Sequence, residues 1–484
     1  MTSLPGQLPG SVQVTEEDSL PMQLARSMIY SLENGEFKPG ARLPSIRQSI
    51  RLSGFSQGTV VEAYRILLDL GRIQSVPGGG YYALPAESDE APRPQESRLL
   101  QRLSLDPGLD RSLNLGNRSV RASFGLAVPS EDMLPLSSLK RCLGEAYRSE
   151  GVHTYSFPPG LPELRKEISY RYRQAGVELN WQELILTGSA TEAAYIVLRE
   201  LVSAGDLVAL ETPCYSGFLH QVRKFKLRFL EVPVDPESGL DVDLLENRLK
   251  KGARPRLLIT VPNFHNPTGA LMSEERRHKL ISLAHKFDFF VLEDDVYGGI
   301  HHGARRSPPL ISLDRDRVFL VSSFAKSIAP SMRLGWLAGP SAFHDALLER
   351  LRTLSLGNSK LTEATLSLFL GRRQFDRHLR TLRKESRIRM NAFRQRILNH
   401  WTMDLRVSNP EGGFWLWLEL PPGIDSMELQ ERALAEGISV SPGSLFSPSA
   451  GYRNYLRINC GLPPTEPILK HLDVLGDLAA EMLE

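Results

Sequence analysis

The chain has 484 residues, 41% of them hydrophobic and 24% charged, with a formal net charge of +2. That length passes the ~250 to 300 residues at which one core stops growing, so two or more domains are expected, and the composition excludes disorder, collagen and a membrane-embedded chain. A net charge this small does not by itself imply a polyanionic partner for the molecule as a whole, so the placement of charge along the chain matters more than its sum.

No stretch approaches the ~18 consecutive apolar residues of a spanning helix, and the opening Met1-Thr2-Ser3-Leu4-Pro5-Gly6 lacks a basic region followed by an apolar one. The expectation is a cytoplasmic protein without a membrane partner. Cys142, Cys214 and Cys460 fit neither a disulfide framework nor metal-ligand spacing, so buried thiols and no metal site are expected.

Residues 1–20 hold Pro, Gly, Ser and an acidic cluster without periodicity, which predicts a mobile tail. A first domain is then expected over 21–84. Met22, Ala25, Met28, Ile29 and Leu32 recur at helical spacing, and Asn34-Gly35 suits a helix end. Pro44 lies near the start of a second short helix that Gly54 ends. Ser56 can cap a third, with Val60, Val61, Tyr64, Leu67 and Leu68 as its apolar face and Gly71 as its stop. Arg72–Val76 and Tyr81–Leu84, around Pro77-Gly78-Gly79-Gly80, read as two strands joined by a tight turn. Between residues 22 and 84 seven basic residues face four acids, a local net of +3 that favours a phosphate backbone.

Pro85, Pro92, Pro94 and Pro107 among polar residues predict an extended linker over 85–113. From 114 to 484, apolar runs alternate with helical patterns. Leu184–Leu186, Leu207–Leu210, Leu257–Thr260, Phe289–Leu292 and Val318–Val321 are near-continuous, as in strands covered on both faces. The expected class is α/β, a mainly parallel sheet with helices on both sides.

Three helices and a β-turn-β wing are the parts of a winged helix-turn-helix, whose third helix enters the major groove. Gly35–Arg47 (GEFKPGARLPSIR) resembles the signature of the GntR family of regulators, and Ser56–Tyr64 (SQGTVVEAY) is similar to its recognition helix. The resemblance implies double-stranded DNA as partner. It places Arg42, Ser45 and Arg47 on phosphates or base edges and Ser56, Gln57 and Thr59 toward the groove. Guanidiniums bind phosphate and guanine edges through paired donors, which supports the arginines independently. Gln57 departs from the family, where arginine is common at that position.

In the second domain Ser322–Gly335 (SSFAKSIAPSMRLG) follows an apolar run and sets Lys326 among apolar neighbours. Desolvation lowers an amine's pKa, and a neutral amine is the form that attacks an aldehyde. Ser323 and Arg333 flank it with groups able to hold a dianionic phosphate. Leu292–Tyr297 (LEDDVY) and Asn263–Gly269 (NFHNPTG) follow further apolar runs; the latter is also a good turn for backbone reasons alone.

These segments, in this order, resemble the fold-type I aminotransferases, enzymes of pyridoxal 5'-phosphate, over about residues 115–484. On the chemistry of the residues, Asp294 can keep a pyridine nitrogen protonated, with Asp295 the alternative, and Asn266 and Tyr297 can donate to the ring's phenolic oxygen. The resemblance implies that Lys326 carries the cofactor and that Gly188, Ser189, Ala190 and Thr191 take its phosphate. It also implies that Tyr215 stacks on its ring, that Tyr155 reaches the cofactor of a neighbouring subunit, and that Arg457 clamps a substrate carboxylate. The glutamine often found in this phosphate loop is missing from Thr187–Ala193.

A GntR-like winged helix joined to an aminotransferase-like domain is the arrangement of the MocR subfamily, which the chain resembles over nearly its whole length. That resemblance implies a transcription regulator, a head-to-tail homodimer, and an aminotransferase-like domain that senses pyridoxal phosphate or an amino-compound effector. A working aminotransferase with an attached DNA-binding domain is the alternative, because the residues for imine chemistry are retained. Ten basic residues between Arg372 and Arg396 against Asp376 and Glu385 read as a solvated helix or as a surface that touches bent DNA.

Overall fold

A computed structural model describes residues 19–33, 37–38, 40–69, 72–76, 80–84, 120–449 and 451–483. The chain divides between Pro94 and Gln95 into two units. Residues 1–18 of the expected 1–20 tail, the ends of the first and third helices at Asn34-Gly35 and Gly71, the wing tip at Pro77–Gly79 and the linker over 85–113 lie outside the described residues, and Leu20, expected in the tail, begins the first helix.

In the first unit α1 (Leu20–Glu33), α2 (Ile46–Ser53) and α3 (Gln57–Asp69) precede β1 (Ile73–Val76) and β2 (Gly80–Ala83), which pair antiparallel. Local chemistry sets these limits. Ser45 caps α2 in a reciprocal box with Gln48, and Gly54 closes that helix in the left-handed region at φ 71°. The Ser56 hydroxyl accepts the Thr59 N–H at 3.2 Å, as a cap for α3 should. Leu24, Ala25, Leu43, Val60, Ala63, Tyr64, Leu67 and Ile73 form the core. Val61 is a correction to the expected apolar face. It is 46% exposed, because 60, 63, 64 and 67 lie along one side of the helix and 61 turns away from it. Tyr64 is the polar tie of this core: its hydroxyl donates to the Pro44 carbonyl at 2.6 Å and shares a 2.8 Å bond with the Ser49 hydroxyl.

The strands of the second unit are β3 (Ala122–Ser123), β4 (Ile185–Thr187), β5 (Leu207–Thr212), β6 (Arg228–Asp235), β7 (Gly239–Leu240), β8 (Leu257–Thr260), β9 (Phe290–Asp294), β10 (Val318–Ser323) and β11 (Gly335–Ala338). After a helical stretch come β12 (Arg406–Val407), β13 (Trp415–Glu419), β14 (Ile438–Ser439), β15 (Ser441–Pro442) and β16 (Tyr455–Asn459). The large sheet runs β4-β11-β10-β9-β8-β5-β6-β7. Its centre, β6-β5-β8-β9-β10, is parallel, while β11 lies antiparallel to both β10 and β4. The near-continuous apolar runs have a direct cause. Leu258, Val291 and Leu320 enter one core cluster while Ile259, Leu292, Phe319 and Val321 enter another, so both faces of each central strand are covered.

A smaller sheet, β12-β13-β16-β15, packs with the helices Arg373–His400, Ser426–Ala435 and Glu466–Glu481 around a third core cluster. All three cysteines are buried and free. Among the described residues no helix is long and apolar enough to cross a membrane, and no group of side chains is suited to hold a metal ion.

Candidate functional site

A parallel sheet leaves a crevice beyond the carboxyl ends of its strands, and there the second unit has a cavity of about 310 Å3. Asp294 ends β9, and Lys326 lies three residues past β10. Tyr215 follows β5, Asn266 follows β8, and Ser189 follows β4; all of them line the cavity. The small sheet contributes Arg457 from β16. Ala190, Thr191, Tyr297, Ser323 and Arg333, all singled out by the sequence, line it as well.

Lys326 donates to the Ala127 carbonyl at 2.8 Å. Burial and the positive field of Arg457 pull its amine down to about 8, opposed by the Asp294 carboxylate, so a usable fraction is neutral near neutral pH. Burial pushes Asp294 up to about 7, and the Val296 N–H, donating to it at 3.1 Å, works against that rise. Asp295, the alternative to Asp294, is committed elsewhere: it takes two bonds from Arg306 at 2.7 and 2.8 Å and one each from Tyr172 and Asn263. Tyr297 is buried against Trp415, which raises its hydroxyl, and Asn266 donates to that hydroxyl at 3.5 Å.

Arg457 donates to Asn266 at 2.7 Å and to the Gly125 carbonyl and Ser441 hydroxyl, and its guanidinium lies 4.8 Å from the Phe446 ring centre. Its buried Nε has no partner among the described residues. Burial lowers it to about 10.

At the other end Ser189 caps the helix Ala190–Leu201, accepting the Glu192 N–H at 3.0 Å. The first internal bond of that helix comes from Ala193, which leaves the N–H groups of Ala190 and Thr191 at the positive end of the helix dipole and at the cavity wall. Gly188 stands just behind; its N–H is held by the Glu192 carboxylate. Close approach is possible because β11 begins with Gly335, where an added Cβ would meet the Ser189 carbonyl carbon at 2.5 Å and the Ala190 nitrogen at 2.7 Å. Arg333, two residues earlier, holds the left-handed region at φ 43°.

Of the expected cofactor residues, Gly188 and Tyr155 do not line this cavity within one chain: Gly188 sits behind Ser189 with its N–H held by Glu192, and Tyr155 lies elsewhere on the surface. It is 69% exposed and stacks on the exposed Phe157. Ala127, Gly125, Ser441 and Phe446 are contributors that the sequence reading missed. They come from segments next to β3 and β15 with no motif of their own, and only long-range folding brings them to the site.

In the first unit Arg42, Ser45, Arg47, Ser56 and Gln57 are exposed, and Thr59 is half-buried with its hydroxyl 2.9 Å from that of Ser56. The basic stretch forms most of the helix Arg373–His400. Arg372, Arg389 and Arg396 are paired with Glu145, Asp132 and Asp473, while Arg377, Arg380, Lys384 and Arg387 are exposed at helical spacing along one side.

A large mixed sheet with a lysine beyond one central strand, an aspartate at the end of the next and a helix start opposite defines the fold-type I aminotransferase class. Consistently, the model of the family "Aminotransferase class I and II" matches residues 128–468. The solved alpha-aminoadipate aminotransferase LysN of Thermus thermophilus, complexed with N-(5'-phosphopyridoxyl)-L-leucine, is 27% identical at a TM-score of 0.72, over 79% of this chain and 96% of that one. Over its full length the chain is similar to the uncharacterized HTH-type transcriptional regulator YjiR of Escherichia coli (strain K12), 31% identical across 95% of this chain and 99% of that one. The probable rhizopine catabolism regulatory protein MocR of Rhizobium meliloti is 26% identical across 87% and 85%. The chain belongs to the MocR-type family of HTH transcriptional regulators, in which a DNA-binding unit precedes an aminotransferase class I and II domain.

Proposed function

We propose that this regulator binds operator DNA through its first unit, and that its second unit holds pyridoxal 5'-phosphate on Lys326 and uses it to sense the cofactor itself or an amino compound. The observation that carries the reading is the convergence of Lys326, Asp294, Asn266, Tyr297 and Arg457 on one cavity, opposite the helix start at Ala190. The residues fit the cofactor on their own chemistry. A lysine at about 8 offers a neutral amine, the paired N–H groups of Ala190 and Thr191 with Arg333 and Ser323 offer an anion cradle, and the unpartnered Nε of Arg457 offers a donor to a carboxylate.

When bound, pyridoxal phosphate supplies an aldehyde for the lysine amine and an electron-withdrawing ring. Asp294 would hold a proton at the ring nitrogen, Asn266 and Tyr297 would donate to the ring oxygen, and Tyr215 would cover one face. Arg457 orients an incoming carboxylate through paired donors. The local net of +3 and the exposed Arg42, Arg47 and Gln57 support operator binding of the winged helix-turn-helix kind seen in GntR-type regulators. Tyr155 and Phe157, large aromatic side chains left exposed in the single chain, support a head-to-tail homodimer in which Tyr155 serves the partner's cavity. Regulation then requires that the effector bind the DNA-competent and incompetent arrangements with different free energies.

The test is a footprint of the upstream region with and without pyridoxal phosphate, repeated with Lys326→Ala. A cofactor-dependent footprint that the variant loses is expected; an identical footprint in all four lanes would overturn the sensing role. The retained residues also keep a second reading alive, that of a working aminotransferase. Steady release of keto product from an amino acid pair would favour it.

A further inference from the structure

Asp294 and Asp295 are adjacent in sequence yet belong to different cavities. Behind the Lys326 turn lies a second hollow, of about 1120 Å3, between the end of helix Pro162–Gln174, the 299–308 loop and helix Arg373–His400. Its wall carries six arginines, Arg171, Arg173, Arg305, Arg306, Arg380 and Arg383, against three carboxylates, Glu274, Asp295 and Asp376. Two of the carboxylates are spent. Asp295 is bound at two oxygens by Arg306, and Asp376 is bound by Arg171.

Arg173, Arg305, Arg380 and Arg383 carry no salt bridge among the described residues. Arg383 is the informative one: it is half-buried, and it gives its Nε to the Gly299 carbonyl at 2.8 Å, so its two terminal nitrogens remain for another acceptor. Burial and the nearby charges of Arg306 and Arg380 lower its guanidinium to about 10, with Asp376 opposing. Like charges gathered in a concave, partly dry site are costly unless an anion joins them. Tyr172, beneath the Arg306 guanidinium at 5.6 Å, and Trp336 form an aromatic floor.

We propose that this hollow is a second ligand site, for a small polyanion: a phosphate ester or a polycarboxylate. Arg383 holds the anion, with the exposed Arg173, Arg305 and Arg380 at the mouth. The site is distinct from the cavity of Lys326, and the assignment does not depend on what that cavity holds. It is a recess that combines the half-buried Arg383 with the exposed Arg173, Arg305 and Arg380, which suits a compact anion better than the outer face of a duplex. Val296 and Ser323 line both cavities, so an occupant would press on the wall that carries Lys326.

The probes are pyrophosphate and tricarballylate, titrated by calorimetry into the full chain at constant ionic strength. Arg383→Gln and, as a variant at the exposed mouth whose folding circular dichroism can check, Arg380→Gln should each weaken binding, the former by about tenfold or more. Arg387→Gln, exposed on the same helix and lining neither cavity, should leave it unchanged, whereas Arg333→Gln reports on anion binding in the first cavity alone. Preference for pyrophosphate would assign a phosphate ester, and preference for tricarballylate a polycarboxylate. Binding of neither probe, binding equal in the parent and both hollow variants, or loss only with Arg333→Gln would overturn the assignment. So would variants that lose DNA affinity while binding both anions as the parent does.

Discussion

The guanidinium of Arg457 donates to the Asn266 side-chain oxygen at 2.7 Å, and the amide of Asn266 in turn donates to the Tyr297 hydroxyl at 3.5 Å. A group that would read an effector's carboxylate is thereby linked to two groups that would hold the cofactor ring. Replacing Arg457 by Ala removes the paired donors but leaves Lys326 and the Ala190 helix start in place. The affinity of the cofactor-loaded protein for an amino acid should fall roughly 10- to 100-fold, with cofactor loading retained. Arg457→Lys should not restore it, because a point charge cannot replace a two-donor fork. Absorbance titration of the loaded full chain measures both; unchanged amino acid affinity would remove Arg457 from its role.

Asp294 sets a pH dependence whose sign can be worked out. Its carboxyl titrates at an ordinary 3.8 in the unfolded chain and at about 7 in the fold, raised chiefly by burial. Between those values the folded state binds more protons than the unfolded one, so this group's contribution to stability falls as pH rises from about 4 to 7 and stays low above. Asp294→Asn keeps the shape and an acceptor for the Val296 N–H without the charge. In the cofactor-free protein it should therefore raise stability at pH 8, by on the order of 2–4 kcal/mol, and by little at pH 4. Cofactor affinity should drop at the same time. Thermal melts across this range check the first claim, and parallel curves for variant and parent would refute it.

Much of this site was legible because its chemistry is local to strand ends. Lys326, Asp294, Asn266 and Tyr215 each follow an apolar run that can only be a covered strand, and a parallel sheet delivers all such ends to one side. What sequence does not carry is the partner across the gap. Ala127 has only a methyl side chain and nothing that marks its carbonyl, yet it holds the Lys326 amine, and the engagement of Asp295 by Arg306 is visible only once the 299–308 loop folds back. Val61 leaves the apolar face for a simpler reason: successive helix positions are about 100° apart, so an apolar residue next to the buried Val60 does not share its side.

At the DNA-reading end the exposed side chains divide by role. Arg47 lies in the first turn of α2 and Gln57 opens α3; on the proposed reading Arg47 would meet phosphate and Gln57 a base edge. Arg47→Ala should weaken binding to all sequences alike and reduce the slope of log K against log salt by about 0.9. Gln57→Ala should leave that slope unchanged and relax preference at one base pair. Ser56→Ala should act mainly through lost capping, since its hydroxyl is already occupied by the Thr59 N–H and hydroxyl. Fluorescence anisotropy on a panel of duplexes at several salt concentrations separates the three, and a sequence-selective effect of Arg47→Ala would reverse the assignment.

Tyr155 offers a test of which chain completes a site. It is exposed, stacked on Phe157, and absent from the lining of the cavity of its own chain, whereas Lys326 lies inside that cavity. In a head-to-tail dimer each site takes Lys326 from one subunit and Tyr155 from the other. Homodimers of Tyr155→Phe should then bind the cofactor weakly through the lost phosphate contact, and homodimers of Lys326→Ala should resist borohydride fixation. A heterodimer of the two, isolated with different tags, regenerates one site with both native residues, on the subunit that keeps its lysine. Half the sites of that heterodimer should load with the parent's affinity and be fixed by borohydride. If Tyr155 instead served its own chain, neither heterodimer site would be intact and every lysine would load as weakly as in the Tyr155→Phe homodimer.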